Sequence, residues 1–344
     1  MNRAAATVTS GVARLGSGER RRTPRFDRLL LGAAVLALVV TAVSFLARAA
    51  WLFELFTHFR LQLAAGAMLL LACAVVRRRL FAAVLAALAF AANGLPLLPW
   101  LPAAHASLAA GANGGTELRI MSANVYYRNF DYAALLEQVR AVDPDVLGLL
   151  EVDRDWLEGL SALEAVYPWR ASYPQEGPWG LALYSKLPFE ELPVSPYREA
   201  GFQTAILVEL AAGDRPVELV LAHVSAPTTP AKARLRNRQF ARLGELLRSG
   251  DATARILAGD LNTTPFSPYY EDLLASSNLG SAARGFGYQA TWRAGLGPLG
   301  IPIDHCLVSD GLRVLSFRTG SAFGSDHLPI IVELAGADLR EDGT

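Results

Sequence analysis

The sequence predicts an α/β body of two packed mixed sheets flanked by helices, set behind an N-terminal head of about three membrane-spanning helices. Three observations carry this expectation. From about Glu117 onward, short apolar runs of strand length alternate with segments of helical spacing. Several strand pairs have no helix between them, which argues for mixed rather than all-parallel sheets; two such sheets packed face to face need helices on their outer faces. Before this body, the first hundred residues hold three long apolar runs.

The head is defined by charge as much as by hydropathy. The chain has 344 residues, 52% apolar and 19% charged, with a formal net charge of zero. Such a composition excludes general disorder, and two cysteines in a chain this long exclude a disulfide framework. Cys73 and Cys306 read as buried single thiols. The zero conceals an asymmetry. Residues 1–100 carry twelve Arg against three acidic residues, a net of +9, so the other 244 carry −9. Within the head, Leu29–Leu46, Leu61–Val76 and Leu80–Leu101 contain no charge. A span needs about 20 apolar residues. The second run is short unless it reaches back through Phe53–Phe59, which brings in Glu54, His58 and Arg60. A cleaved signal peptide is the alternative for the first run, but two further runs favour a retained helix. Core helices of a soluble protein are the alternative for all three.

Arg20–Arg28 flank the first run and Arg77–Arg79 separate the second from the third. Both clusters prefer the cytoplasm, which places the Trp51–Arg60 loop and everything after the third span outside. If the second run does not cross, the body stays cytoplasmic. The expected order is a basic tail (1–28), a membrane region (29–101, spans near 29–46, 55–76 and 80–101), a linker (102–116), the body (117–335) and a tail (336–344).

Within the body, strands are expected at 118–123, 145–150, 181–184, 204–210, 217–222, 255–258, 303–308, 312–317 and 328–334, with helices at 132–142, 231–247 and 268–275. Ala212–Arg215 reads as a hairpin turn. Polar residues recur where these apolar strands stop: Asn124, Glu151, His223, Asp260 with Asn262, Asp304, and Asp326 with His327. Any one of them reads equally as a cap or a turn former. Six such segments on a shared sheet edge would converge. Asp, Glu and Asn are hard oxygen donors, suited to Mg²⁺ or Mn²⁺ rather than to a closed zinc site. No HExxH, CxxC, Gly-rich phosphate loop or GxSxG elbow is present. Carboxylates and two histidines beside a hard cation fit metal-assisted phosphoester hydrolysis.

Ala-Asn-Val (123–125), Leu-Leu-Glu-Val (149–152), Ala-His-Val-Ser-Ala-Pro (222–227), Gly-Asp-Leu-Asn-Thr-Thr-Pro (259–265), Ile-Asp-His (303–305) and Gly-Ser-Asp-His-Leu-Pro (324–329) stand in this order. On these motifs the chain, over about residues 117–335, resembles the endonuclease/exonuclease/phosphatase superfamily, the fold of DNase I-like nucleases, neutral sphingomyelinases and inositol-phosphate phosphatases. With its three-span head it looks like the membrane-anchored bacterial YafD-like and VanJ-type members. The resemblance implies a four-layer αββα sandwich. It implies Glu151 as principal metal ligand with Asn124 beside it, and Asp326 completing the metal and hydrogen-bond network. Asp260 would orient or activate water, Asn262 would position it, and His327, oriented by Asp304, would contact the phosphate or act as base. His223 takes the place of a second phosphate-facing histidine. The roles of His223, Asp260 and His327 stay interchangeable at this point. One departure is Tyr126, where several DNA-repair members carry Asp. His305 either faces substrate or packs at a strand end.

The acidic body argues against tight sequence-independent DNA binding, which rests on Lys and Arg. Lys232–Arg242 is the one basic stretch, read first as a solvated helix face and second as a flank for an anionic substrate. A membrane tether favours a lipid-linked phosphate, phosphodiester or diphosphate in an envelope membrane. An extracytoplasmic nuclease is the alternative, and a non-catalytic scaffold on the same fold is the third reading. The aromatic loops 167–179 and 285–292 either contact lipid or sugar or anchor themselves.

Overall fold

The computed structural model describes residues 24–103, 118–192, 198–199, 202–212, 215–249 and 254–336. Most of the expected N-terminal tail and linker, and nearly all of the C-terminal tail, lie outside these residues.

The head comprises α1 (Pro24–Ser44), α2 (Trp51–Leu55), a 3-10 turn (Phe56–Phe59), α3 (Arg60–Val76), α4 (Leu80–Gly94) and a Pro-rich 3-10 segment (Leu95–Trp100). Three stretches, Arg25–Ser44, Trp51–Val76 and Leu80–Trp100, are long and apolar enough to cross a membrane. Small side chains let the helices approach: Ala34, Ala74, Ala82 and Ala86 are buried together with Leu30. The outer surface is apolar instead, with Leu29 72%, Val76 79% and Leu80 79% exposed. Water would penalise that surface, and a hydrocarbon phase would not. Cys73 lies on this outer surface rather than in a core. At one end of the bundle Arg77 and Arg79 both pair with Asp27.

Trp51–Arg60 is helical and continuous with α3, not the loop expected. Its three ionisable residues explain why it does not read as a clean span. Glu54, His58 and Arg60 are each buried and each bonded to another protein group: to Arg236, Thr264 and Asn93. The first two partners belong to the body.

The first half of the body runs β1 (Leu118–Asn124), α5 (Tyr132–Val142), β2 (Val146–Leu150), α6 (Arg154–Gly159), β3 (Trp169–Tyr173), β4 (Leu181–Ser185) and β5 (Phe189–Glu191). A small ribbon follows, β6 (Arg198–Glu199) with β7 (Phe202–Gln203). Then come β8 (Ala205–Ala212), β9 (Arg215–His223), α7 (Pro230–Ser249), β10 (Ala254–Asp260) and α8 (Pro268–Ser277). The chain closes with β11 (Gly280–Ser281), β12 (Asp304–Val308), β13 (Leu312–Thr319) and β14 (Ile330–Gly336). Gly213 and Asp214, inside the expected hairpin turn, lie outside the described residues, but β8 and β9 pair antiparallel up to Ala212 and Arg215.

Two six-stranded mixed sheets result, ordered β13-β14-β1-β2-β4-β3 and β11-β12-β10-β9-β8-β5. Ile120, Val146 and Leu183 of the first sheet meet Ile206, Leu219 and Ile256 of the second in one core. The outer face of the first sheet is covered by Leu135, Val139 and Trp156. Phe240, Leu243, Tyr270 and Leu273 cover the outer face of the second. Helix, sheet, sheet and helix make the four-layer sandwich expected. Each sheet has one central parallel pair, β1 with β2 and β9 with β10. The hydrogen bond from Asn124, at the end of β1, to Asp260, at the end of β10, brings the C-terminal ends of both pairs together, and the site lies there.

The head is fastened to the body by buried and surface contacts. Glu54 accepts hydrogen bonds from Arg236 (2.7 Å) and Ser267 (2.6 Å). Arg236 is fully buried, so the basic face of α7 is not uniformly solvated as expected from the sequence. Trp100 packs edge-on against Phe266 and joins the inter-sheet core. Gln62 donates to the Leu299 and Gly300 carbonyls, and Arg48 pairs with Asp272. The body thus sits at the end of the bundle opposite Arg77–Arg79.

Candidate active site

Local chain geometry delivers each polar residue to one sheet edge. Asn124 is the last residue of β1, and Glu151 follows β2 directly with a left-handed backbone (φ 65°). His223 and Asp260 end β9 and β10 and are register partners; Asp304 opens β12 opposite Asp260. Gly259 allows the parallel strands to approach. Its φ is 136°, and a Cβ there would lie 2.0 Å from the Ala222 carbonyl oxygen, so only glycine fits. Ser325 donates to the Asn124 carbonyl and accepts from the His327 backbone N–H, which carries the last segment to the same place.

Asn124 is the hub. Its Nδ2 donates to Glu151 Oε1 at 2.9 Å and to Asp260 Oδ2 at 3.2 Å, drawing two carboxylates together. Glu151 Oε2 accepts from the Tyr127 backbone N–H. Asp260 Oδ1 accepts from the Asn262 backbone N–H at 2.8 Å, and its Oδ2 lies 3.6 Å from His223 Nε2 and 3.8 Å from His327 Nε2. Asn262 Nδ2 donates to the Val224 carbonyl and lies 3.3 Å from His223 Nε2. His327 Nδ1 lies 2.8 Å from Asp304 Oδ2. Seven of the eight expected residues therefore form one connected set. Asp326 stands apart, on the cavity wall, where its Oδ2 accepts from the Trp292 indole at 3.0 Å.

Burial sets the electrostatics. Desolvation raises the pKa of Asp260, and the nearby Asp304 raises it further. Burial alone would discharge His327, but Asp304, joined by Asp260 and Asp326, outweighs it and holds the imidazole well above its ordinary value. A carboxylate facing an imidazolium fixed by a second carboxylate is the arrangement expected of acid–base groups. His305 is different. It is buried against Tyr270, bonded to the Thr263 carbonyl, and burial lowers its pKa to about 4. It packs at a strand end, the second of its two expected roles.

Two groupings of possible ligand atoms invite a cation. Asp260, Asp304 and His327 bring donor atoms within 4.8 Å of one another. There, however, His327 Nδ1 is already engaged by Asp304, which is the geometry of a hydrogen-bonded dyad. Glu151 offers two hard carboxylate oxygens beside the buried Asp260 carboxylate, and such donors fit Mg²⁺ or Mn²⁺; Asn124 turns its Nδ2 toward both carboxylates, while its Oδ1 accepts from the Tyr126 backbone N–H.

The site opens into a cavity of about 600 Å³. Trp179 and Trp292, one from each aromatic loop, line it, as does Lys232 from the basic stretch. Tyr167, in contrast, is core. Trp51, Leu55, His58 and Phe59 of the head also line it. None of the four reads from the sequence as a site residue, although Trp51, Leu55 and Phe59 recur every fourth residue.

A profile of the endonuclease/exonuclease/phosphatase family matches residues 121–327. No curated protein sequence matches the chain. Among solved structures, the 3′ phosphatase NExo from Neisseria, bound to product DNA hairpin, is 19% identical. That alignment covers 63% of this chain and 99% of NExo, at a TM-score of 0.53. The human Nocturnin catalytic domain, with a bound sulfate anion, is 21% identical over 64% of this chain and 94% of its own, at 0.51. Truncated Caenorhabditis elegans TDP2 is 19% identical over 63% and 96%, at 0.50. These likenesses share the fold and cover about two thirds of this chain. The family joins nucleases and phosphatases, hydrolases of phosphoester bonds, and by the match over 121–327 this chain belongs to it.

Proposed function

We propose that the chain is a membrane-anchored, divalent-metal-dependent phosphoesterase acting on a phosphate ester, phosphodiester or diphosphate of a lipid-linked substrate. The observation that carries the chemistry is the connected set Asn124–Glu151–Asp260–His327–Asp304, buried at one sheet edge and opening to a cavity. Glu151 would hold Mg²⁺ or Mn²⁺ with Asn124 beside it, and Asp326 would complete the surrounding network. Such an ion supplies charge neutralisation for the phosphate and its leaving oxygen. The protein's own groups do the rest. Asp260 orients the attacking water and takes its proton, with Asn262 keeping the carboxylate turned through the backbone N–H. His327, held by Asp304, donates a hydrogen bond to the phosphate as charge builds. His223 contacts the phosphate from the other side of Asp260.

The lipid-linked substrate is supported by the tether, by the net charge of −7 over residues 117–335, and by the position of the site on the face that receives the head. Arg77–Arg79 lie at the far end of the bundle from the body. With the positive cluster inside, the body is extracytoplasmic. The proposed order is tail 1–28, membrane region 29–101, linker 102–116, catalytic body 117–335 and tail 336–344, as in YafD-like and VanJ-type membrane-anchored members.

The test is product identification. Full-length protein with Mg²⁺ is offered a phospholipid, a polyprenyl diphosphate and DNA. Turnover of a lipid-linked substrate supports the reading, and efficient DNA cleavage without lipid turnover replaces it with the nuclease alternative. A C-terminal alkaline phosphatase fusion that is inactive beside a fluorescent green fluorescent protein fusion would put the body in the cytoplasm.

A further inference from the structure

The helical segment before the second span carries two stripes. One is polar and faces the body. Glu54 accepts from Arg236 and Ser267, and His58 Nδ1 lies 3.0 Å from Thr264 Oγ1. Thr264 and Ser267 belong to the loop that leaves Asp260, so this stripe clamps the catalytic loop from the membrane side. The other stripe is apolar. Trp51, Leu55 and Phe59 are spaced i, i+4, i+8, which sets them on one side of a helix, and all three line the cavity that holds Glu151, Asp260 and His327. Trp179, Trp292 and Ile301 line it as well.

A cavity of about 600 Å³ falls within the size range of small-molecule pockets, roughly 300–1,000 Å³. It is much larger than a phosphate group. A phosphate and its cation need polar walls, yet these six side chains offer mostly hydrocarbon and aromatic surface. The lining is also continuous in sequence with α3, whose outer surface is apolar: Met68 is 50% exposed and Leu69 65%. A chain rising from the bilayer would thus meet apolar surface along its path to the carboxylates.

We propose that Trp51, Leu55 and Phe59 form a specificity wall of the phosphoester site and hold the hydrocarbon chain attached to the scissile phosphate. The membrane head is then part of the substrate site as well as its tether. This inference rests on the phosphoesterase reading for its catalytic readout, but not for its binding readout. Burying one methylene is worth about fourfold in affinity. A six-carbon chain seated against the wall gains well over tenfold on a one-carbon chain, even if only part of it is covered.

The full chain in lipid nanodiscs, with Mg²⁺, is given methyl, butyl and hexyl p-nitrophenyl phosphate. The expected hexyl-to-methyl ratio of kcat/KM exceeds ten. In Trp51→Ala and Leu55→Ala the ratio falls at least fivefold. Leu52→Ala, on the same helix but 50% exposed and off the cavity, keeps the wild-type ratio. Binding is measured separately, by calorimetry with ethyl and hexyl phosphate. Hexyl phosphate is expected to bind at least tenfold tighter, and Trp51→Ala to remove that preference. A wild-type ratio near one, or a ratio unmoved in both cavity variants, overturns the wall. If no ester is hydrolysed, the phosphoesterase reading fails; equal affinity for ethyl and hexyl phosphate then overturns the wall as well, and a hexyl preference sensitive to Trp51 upholds it. Phe59→Ala serves where Trp51→Ala does not fold.

Discussion

Replacing Asp304 by Asn isolates one contact of the proposed machinery. Asp304 and His327 are 3% and 5% exposed, and their 2.8 Å hydrogen bond is shielded from water. Asn keeps the volume and removes the charge. If its carbonyl faces Nδ1, the bond survives but the imidazolium loses its counter-charge. If its amide faces Nδ1, the ring must take the opposite tautomer, and Nε2 then carries the proton only as a neutral group. Two unit charges about 4 Å apart interact by about 4 kcal/mol at an effective dielectric constant near 20. Were that stabilisation fully expressed in the transition state, its loss would slow turnover by about 10³-fold, within the 10²–10⁴-fold range of a positioned acid–base group. The assay is kcat for bis-p-nitrophenyl phosphate with saturating Mg²⁺, full chain in detergent, beside a thermal melt. Residues acting as one unit are non-additive, so Asp304→Asn combined with His327→Ala should be no slower than His327→Ala alone. Activity within tenfold of wild type in a normally folded Asp304→Asn protein would refute the dyad.

Other outcomes follow from separate contacts. Glu151→Gln should weaken Mn²⁺ binding, read by calorimetry, by more than about 100-fold, the upper loss for a supporting residue around a metal; unchanged affinity would move the ion away from Glu151. Gly259→Ala places a Cβ 2.0 Å from the Ala222 carbonyl at φ 136°. Backbone strain alone costs about 1–3 kcal/mol, before the β9–β10 contact is forced apart, so the melting temperature should fall by several degrees or the protein should not accumulate. Glu54→Ala leaves Arg236 buried without its counter-charge and should destabilise the docked head by about 3–5 kcal/mol, seen as faster proteolysis between head and body. An unaltered digestion pattern would mean that the pair is not what fastens them.

Much of this site is legible in the sequence because it depends on where strands end. An apolar run that stops at Asn124, Glu151, His223 or Asp260 announces both the strand and its polar tip, and α5 at Tyr132–Val142 follows from the spacing of Leu135, Leu136 and Val139, of which Leu135 and Val139 are buried. Strand β3 did not announce itself, because Trp169, Arg170 and Ser172 are exposed and only Ala171 is deeply buried. Strand β5 is three residues long with two Glu, and it exists only because β8 offers an edge to pair with. The head–body contacts were invisible for another reason. Glu54 and Arg236 are 182 positions apart, and nothing local in either segment names the other. Glu54, His58 and Arg60 looked like flaws in a membrane span. In three dimensions the first two fasten the head to α7 and to the loop that leaves Asp260, and Arg60 braces the bundle through Asn93.

In the proposed mechanism a divalent ion held at Glu151 drives phosphoester hydrolysis at this site. Its most direct measurement is bis-p-nitrophenyl phosphate turnover by the full-length protein, titrated with Mg²⁺ and Mn²⁺, for wild type and Glu151→Ala side by side. Turnover should require the ion, saturate with it, and be lost in Glu151→Ala while the fold is kept. Turnover that ignores the ion, or a Glu151→Ala protein as active as wild type, would contradict it.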